Sequence, residues 1–147
     1  MTESNFRFNP PYLTAMDFVI NQSYRREKNE VAPVSLYLQT NVSRNPEDFD
    51  SKVELIVKLN HDDIGNSVPD APFWITVSYS SKFTWEKGIP KEMVERFLRV
   101  NAPAVLLSYI RPLVAQITSC SPFPTYNIPF LNLVKMQEEA QEADRVE

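Results

Sequence analysis

Four stretches of the chain alternate apolar and polar residues, which is the pattern of β-strands with one buried face. The clearest stretch covers residues 34–42, where one face carries Val34, Leu36, Leu38, Thr40 and Val42. The same period predicts further strands over residues 13–24, 52–60 and 72–85. Because short polar turns separate consecutive strands, we expect the four to form an antiparallel meander.

The second half of the chain has the spacing of helices. Residues 91–101 form a first helical piece, and an apolar stripe then recurs at helical intervals, at Leu106, Ile110, Leu113 and Ile117. Asn101 is a good N-cap residue and Pro103 suits a first helical turn, whereas Pro112 is expected to bend the helix or force local repair. Such an apolar helix needs a sheet beneath it.

Strands followed by helices predict an α+β domain, with the helices packed on one face of a four-stranded antiparallel sheet. A length of 147 residues fits one domain with a real core. The boundaries we expect are a flexible N-terminal arm over residues 1–12, the folded domain over 13–135, and a polar C-terminal tail over 136–147.

Composition and charge narrow the classes of function. A formal net charge of −4 argues against a nucleic-acid-binding protein, which usually presents a basic field. The single cysteine, Cys120, excludes an internal disulfide and a multi-cysteine metal site. The sequence shows no signal peptide and no apolar run approaching the ~20 residues of a membrane span. We therefore expect a cytoplasmic protein without membrane insertion.

Candidate catalytic residues are sparse, so we expect a protein that is not an enzyme and needs no cofactor. Neither glycine lies in a phosphate-binding pattern. His61, followed by two aspartates, could belong to a metal site or an acid–base pair, although a solvated turn explains it better. Cys120 could be a nucleophile, but a helix C-terminus raises a thiol pKa. The basic residues Arg25, Arg26 and Lys28 fit a solvated loop better than an anion site.

Apolar surface is left over once the core is assigned. Tyr37, Ile56 and Trp74 fall on the sheet face opposite the predicted core, and the chain carries 17 aromatic residues. Excess apolar surface is typical of self-association or partner binding. A larger core is the alternative explanation.

Several collinear motifs resemble the SecB family of bacterial protein-export chaperones. The family's helix start, with its P-x-x-L-F-P-Y-A-R pattern, is similar to Pro103, Leu106, Leu107, Tyr109 and Arg111. Its later F-P, L-N-L and N-F elements are similar to the pairs Phe123-Pro124, Asn127-Ile128 and Asn132-Leu133, and its second strand to Val34, Leu36, Leu38 and Thr40. The resemblance covers residues 13–135.

This resemblance implies a holdase that captures non-native polypeptides along apolar grooves, assembled as a dimer of dimers in which the long helix packs between sheets. By position, Leu36 and Leu38 with Val114 and Ile117 would line the groove. Many weak apolar contacts and backbone hydrogen bonds would hold an extended client, without nucleotide.

The resemblance also implies docking of the SecA translocase motor through acids on the outer sheet face. Asp17 matches one of these acids, and Trp74 occupies a position where the family has leucine. Asn21 and Thr76 stand where glutamates are expected, and Ser108, Pro112 and Ser121 depart from the family pattern elsewhere.

Three hypotheses of function follow. The first is a SecB-like holdase, with a possible role in export. The second is a protein of the same fold with one partner of its own, such as an antitoxin or a regulatory peptide. The third is a small-molecule binder or hydrolase that uses His61, Asp62 and Asp63.

Overall fold

The computed structural model describes residues 4–25, 34–45, 49–62 and 64–146. The strands are β1 (Phe6–Phe8), β2 (Tyr12–Ile20), β3 (Leu36–Asn45), β4 (Asp50–Leu59) and β5 (Phe73–Trp85). They precede helix α1 (Lys91–Arg96), a π-helical turn (Phe97–Asn101), helix α2 (Ala102–Ser119) and helix α3 (Leu133–Val146). The α+β class with an antiparallel sheet is confirmed.

The sheet is a meander over three strands only. β3 pairs with β4 and β4 with β5, as predicted, but β2 lies on the other side of β5 instead of beside β3. The prediction of a four-stranded meander is therefore wrong for the first strand. The β2–β3 connection, residues 21–35, and the β4–β5 connection, residues 60–72, are of similar length, so connection length alone does not decide which strands are neighbours.

A fifth strand, β1, lies within the residues assigned to an N-terminal arm. It pairs with the end of β5, with Phe6 opposite Trp85 and Phe8 opposite Phe83. The pairing is interrupted after Asn9, whose N–H still reaches the carbonyl of Lys82 at 3.0 Å. Pro10 and Pro11 follow, and because proline has no N–H, the ladder cannot continue through them.

One face of the sheet carries the core. Alternate residues of β4 and β5 are fully or almost fully buried beneath α2: Val53, Leu55, Val57, Leu59, Phe73, Ile75 and Val77. Helix α2 contributes Leu106, Ile110 and Val114, each with no exposed surface. Since burying one such side chain is worth about 1.5–3 kcal/mol, this layer supplies most of the stability. The predicted period of two is confirmed along β4 and over residues 73–77 of β5, beyond which Ser78 and Ser80 are buried as well.

The helical segments from Lys91 to Ser119 are continuous. Asn101 lies inside the helix and makes no capping hydrogen bond, so its prediction as an N-cap is wrong. The N–H of Ala102 bonds to the carbonyl of Phe97, a π-type bond immediately before Pro103. A wider turn relieves the clash between a proline ring and the carbonyl four residues earlier, which explains its position.

The helical stretch Lys91–Ser119 is long and apolar enough to cross a membrane, judged by length and composition alone. In the structure, 33% of its most apolar part is buried inside the protein. The core helix of a globular protein passes the same test. The sequence-based expectation that no such stretch exists is therefore too strict.

After α2 the chain returns in an extended, proline-rich crossing. The hydroxyl of Thr118 accepts the N–H of Tyr126 at 2.9 Å and donates to the carbonyl of Val114 at 2.8 Å. Ile128 is buried against the core. Arg111 of α2 donates to the carbonyl of Pro129 at 2.8 Å, which fixes the crossing along the helix and delivers α3 to the edge of β3.

Candidate functional site

An open cleft of about 810 Å³ lies between the edge strand β3 and the helices. Its lining comes from five parts of the chain: the sheet, α1, the π-helical turn, the start of α2, and α3. Its apolar lining consists of Leu38, Leu55, Val100, Pro103, Leu133, Val134 and Met136. A volume in this range accommodates several side chains of a ligand.

Charged residues surround this apolar lining. Glu92, Glu95 and Arg96 come from α1, Arg99 from the π-helical turn and Glu138 from α3. Glu95 forms an ion pair with Arg44 of β3, which ties the helix to the strand edge. Both signs of charge are present at the rim, so the rim does not favour a ligand of one charge.

Helix α3 forms one wall of the cleft through residues that sequence reasoning assigned to a polar tail or to its border. Asn132 caps the helix, since its side-chain oxygen accepts the N–H of Lys135 at 2.9 Å. Leu133 and Met136, one turn apart, both line the cleft. Their spacing of three residues is the available signal, but it is too short to reveal an amphipathic face.

The structure separates the four residues expected to line a polypeptide groove. Leu38 lines the cleft. Leu36 and Ile117 are half-buried and pack against the core, while Val114 belongs to the core and has no exposed surface. Their shared role in binding stays a prediction, and Leu38 is the member that the described geometry places in an open site.

The outer face of the sheet, opposite the helices, carries the two residues expected to dock the SecA motor. Asp17 is exposed and lies opposite Thr76, and Trp74 is half-buried opposite Val19. The indole N–H of Trp74 donates to the carbonyl of Val68 at 2.8 Å, so this side chain also anchors the turn before β5.

Asn21 and Thr76, the neutral residues at positions where the family resemblance predicts glutamates, make local contacts. The side-chain amide of Asn21 donates to the carbonyls of Pro69 and Ala71, at 3.2 and 2.8 Å. The hydroxyl of Thr76 lies 3.4 Å from Nε2 of His61. These contacts hold His61, Pro69 and Ala71 against the sheet, and neither Asn21 nor Thr76 offers a negative charge.

The candidate catalytic residues Asp62 and Cys120 contact backbone groups near them in the chain. The carboxylate of Asp62 accepts the N–H groups of Ile64 and Asn66, at 3.1 and 2.7 Å, as in an Asx turn. Asp63 lies outside the described residues. Cys120 is exposed, with its sulfur 3.5 Å from the carbonyl of Gln116. Within the described ranges, no group of three or more His, Cys, Asp or Glu side chains could hold a metal ion.

The basic residues considered for an anion site lie mostly outside the described residues. Arg25 donates to the carbonyls of Gln22 and Tyr24, at 3.2 and 3.4 Å. Arg26 and Lys28 fall in the range that the structure does not describe.

A second apolar surface lies along the exposed side of α2 and the crossing beside it. Phe130 is 98% exposed, and the guanidinium of Arg111 stands over its ring, 5.4 Å from the centroid. Tyr109 is 41% exposed on the same helix. Arg111 is the one charged residue within Ala102–Ser119, so this helix presents an almost uncharged face to solvent. An exposed face of this kind favours contact with another protein surface.

Comparison with known proteins identifies the family. The family model for the preprotein translocase subunit SecB matches residues 2–144. A protein-export protein SecB from Ruegeria pomeroyi is 26% identical over 135 residues, which span 90% of this chain and 81% of that relative. The SecB of Anaplasma phagocytophilum is 27% identical over 95 residues, covering 62% of this chain and 59% of its own length.

Solved structures show the same fold. A SecB-like chaperone of Mycobacterium tuberculosis, solved in complex with a ChAD peptide from the HigA1 antitoxin, superposes with a TM-score of 0.66 at 13% identity. The match covers 86% of this chain and 90% of that one. A Streptococcus agalactiae protein of unknown function reaches a TM-score of 0.50 at 14% identity, over 85% of this chain and 97% of that one. The match of the family model over nearly the whole length shows that this chain belongs to the SecB family.

Proposed function

We propose that this protein is a cytoplasmic chaperone of the holdase type, which binds non-native polypeptides in the cleft beside β3. The observation that carries this proposal is the open cleft itself, whose apolar lining is contributed by β3, the π-helical turn, α2 and α3. An unfolded chain exposes apolar side chains that such a lining removes from water. Membership of the SecB family supports the same function.

The cleft binds by adaptable contacts. Its lining is aliphatic and includes Met136, a flexible side chain suited to varied ligands. A single cleft holds only a short segment of a client, so capture of a long chain requires several clefts acting together. We infer that the working form is a homo-oligomer, a dimer of dimers, in which the uncharged face of α2 is buried between subunits.

A role in export would add docking of the SecA motor on the outer sheet face. Asp17 and Trp74 are the residues we propose for that contact, since Asp17 is exposed there and Trp74 lies two residues before Thr76, the strand partner of Asp17. Asn21 and Thr76 contribute no negative charge, so this docking would rest on one acid. We therefore place client capture ahead of motor docking in the proposal.

A second candidate is supported by the Mycobacterium tuberculosis neighbour, which was solved with a peptide from an antitoxin. In this alternative the cleft receives one specific peptide of a single partner. The two candidates use the same cleft and differ in selectivity. A holdase binds unrelated unfolded proteins with similar affinity, whereas a protein with one partner ignores them.

Client capture can be tested with reduced, carboxymethylated α-lactalbumin, a permanently unfolded protein, followed by size exclusion with light scattering. We expect the wild-type protein to co-elute with it. Leu38→Asp places a charge in the apolar lining and should weaken binding at least about tenfold, because a buried charge is costly. Gln39→Asp is the matched control, since Gln39 is exposed on the other face of the same strand.

The outcomes separate the hypotheses. Equal binding by the Leu38→Asp and Gln39→Asp variants would remove the cleft as the site. Wild-type binding by a variant with both Leu36 and Leu38 replaced by Ser would exclude both of these groove residues. No binding of the unfolded protein by the wild type would reject the general holdase. A pull-down that returns one native partner, lost in Leu38→Asp, would then favour the second candidate.

A further inference from the structure

A smaller pocket, of about 410 Å³, lies where the edge strand of the sheet is interrupted. Pro10 and Pro11 separate β1 from β2, so the regular strand pairing along β5 is interrupted between Ser80 and Phe83, where Asn9 N–H still bonds to the carbonyl of Lys82 at 3.0 Å. The pocket is lined by Asn9, Tyr12, Ser43, Asp50, Lys52 and Lys82, together with Arg44. Its hydrogen-bond donors come from lysine, tyrosine, serine and asparagine side chains, which suits an anionic ligand.

Two cations face each other in this pocket. Lys52 of β4 and Lys82 of β5 are direct partners in the antiparallel register, so their side chains leave the same face side by side. Like charges directly opposite one another destabilise a sheet. Asp50 lies 3.2 Å from the Lys82 ammonium and compensates that charge, but within the described residues no ion pair to Lys52 is found.

The counter-charge that we consider for this pocket is an acidic segment of the same sequence, residues 136–147. Residues 136–147 contain five acids and one arginine, in a protein whose formal net charge is −4. This segment therefore accounts for the acidity of the whole chain, and the remainder is close to neutral. Glu138 and Glu139 are adjacent in α3, and Glu142 follows one turn after Glu138.

Within one chain, the acidic segment begins on the face of the sheet opposite the pocket that contains Lys52 and Lys82. Leu133 and Met136 line the cleft on the helix-bearing side of the sheet, whereas Lys52 and Lys82 stand on the other side. Residues 136–146 continue as a helix, which advances only about 1.5 Å per residue, or roughly 16 Å in all. The acidic segment of another copy can approach the pocket from the outer face of the sheet.

We propose that the pocket at the β1–β2 break binds the acidic C-terminal segment of a second copy of this chain. Carboxylates of Glu138, Glu139 and Glu142 pair with Lys52 and Lys82 across the contact. The contact does not use the almost uncharged face of α2, but it shares Glu138 with the rim of the cleft. It gives the assembly a salt-sensitive link in addition to an apolar one.

A peptide titration tests the pocket. The receptor is the full-length protein with Glu138, Glu139 and Glu142 replaced by Gln, so that its own tails do not compete. A fluorescein-labelled peptide of residues 136–147 should bind this receptor, and added NaCl should weaken the complex. Adding Lys52→Gln and Lys82→Gln to the receptor should reduce affinity about tenfold, since two exposed ion pairs are lost. Lys58→Gln with Lys87→Gln is the control of equal charge and should leave binding unchanged.

Equal affinity of the two receptor variants would overturn the pocket assignment. Equal affinity of the receptor for hexaglutamate would overturn the choice of the tail as occupant, because any acidic segment would then suffice.

Cross-linking of the unmodified protein tests the second copy. A mixture of ¹⁴N- and ¹⁵N-labelled protein is treated with a carbodiimide, which joins lysines to carboxylates without a spacer. We expect mixed-isotope links from Lys52 or Lys82 to acids of residues 138–142. Links confined to one isotope would place the tail in its own chain, and links of Lys52 to Glu47 or Asp48 alone would assign a different counter-charge to this cation. Either result would overturn the proposal.

Discussion

Asn60 and Ser35 exchange two hydrogen bonds, one through the side chain of Asn60 and one through its backbone. Ser35 N–H donates to the Asn60 amide oxygen at 3.0 Å, and Asn60 N–H donates to the Ser35 carbonyl at 2.9 Å. The Asn60 amide nitrogen donates to the carbonyl of Phe73 at 2.9 Å. One side chain therefore joins the starts of β3 and β5 at the end of β4, beside the strand that forms the cleft.

Replacing Asn60 by Ala should destabilise the protein by about 2–4 kcal/mol. Asn60 is 2% exposed and has a positive φ of 63°, so alanine leaves two backbone groups without partners and is strained in this conformation. Asn41→Ala is the control, since Asn41 is exposed and its side-chain amide donates to Glu54 on the surface. Urea unfolding measures both. A loss below about 1 kcal/mol for Asn60→Ala would show that the three strands are not joined through this residue.

Asn60 illustrates what the sequence reveals and what it hides. The alternation from Val53 to Leu59 predicts the buried face of β4 correctly, because period two is a local property of the chain. The left-handed conformation of Asn60 and its hydrogen bonds to Ser35 and Phe73 depend on where β3 and β5 lie. The pairing of β2 with β5 is hidden for the same reason, since periodicity identifies strands but not their neighbours.

The cleft, too, could be predicted only in part from the sequence. Leu38 can be identified from its strand pattern and from its resemblance to the family. The contributions of Val100 and Leu133 depend on the π-helical turn and on the crossing that returns α3 to β3. Neither follows from local spacing, because both result from chain segments that meet only in the folded protein.

Strand β1 should be held by an aromatic contact. The rings of Phe6 and Phe97 stack with centroids 4.1 Å apart, and Phe97 meets Phe83 edge-on at 5.7 Å. Phe6→Ala should cost about 2 kcal/mol through lost burial and lost aromatic contact. It should also speed tryptic cleavage after Arg7. Phe8→Ala is the matched control, because Phe8 is 47% exposed and lies 6.0 Å from Phe83. Similar cleavage rates in the two variants would reject Phe6 as the anchor.

Alkaline stability should depend on Tyr126. Burial raises the pKa of the Tyr126 hydroxyl above its ordinary value of 10.0. The neutral form is thus favoured by the folded state, so this group's contribution is fully present below pH 10 and is lost as pH rises through the folded pKa. Tyr126→Phe should therefore flatten the fall in melting temperature between about pH 9.5 and 11.5. Tyr37→Phe serves as the control, and an unchanged slope in Tyr126→Phe would contradict the prediction.

The exposed face of α2 gives the sharpest test of assembly. Tyr109 is 41% exposed on a helix whose one charged residue, Arg111, is engaged with Pro129 and Phe130. If this face is buried between subunits, Tyr109→Glu places an unpaired charge in an apolar contact, and the dissociation constant should rise at least about a hundredfold. Light scattering should then show a tetramer for the wild type and a smaller species for the variant. Met93→Glu introduces the same charge at another exposed apolar helix position and should leave the mass unchanged. A tetramer that survives Tyr109→Glu would move the interface elsewhere, and a monomeric wild type would reject the assembly on which capture of long clients depends.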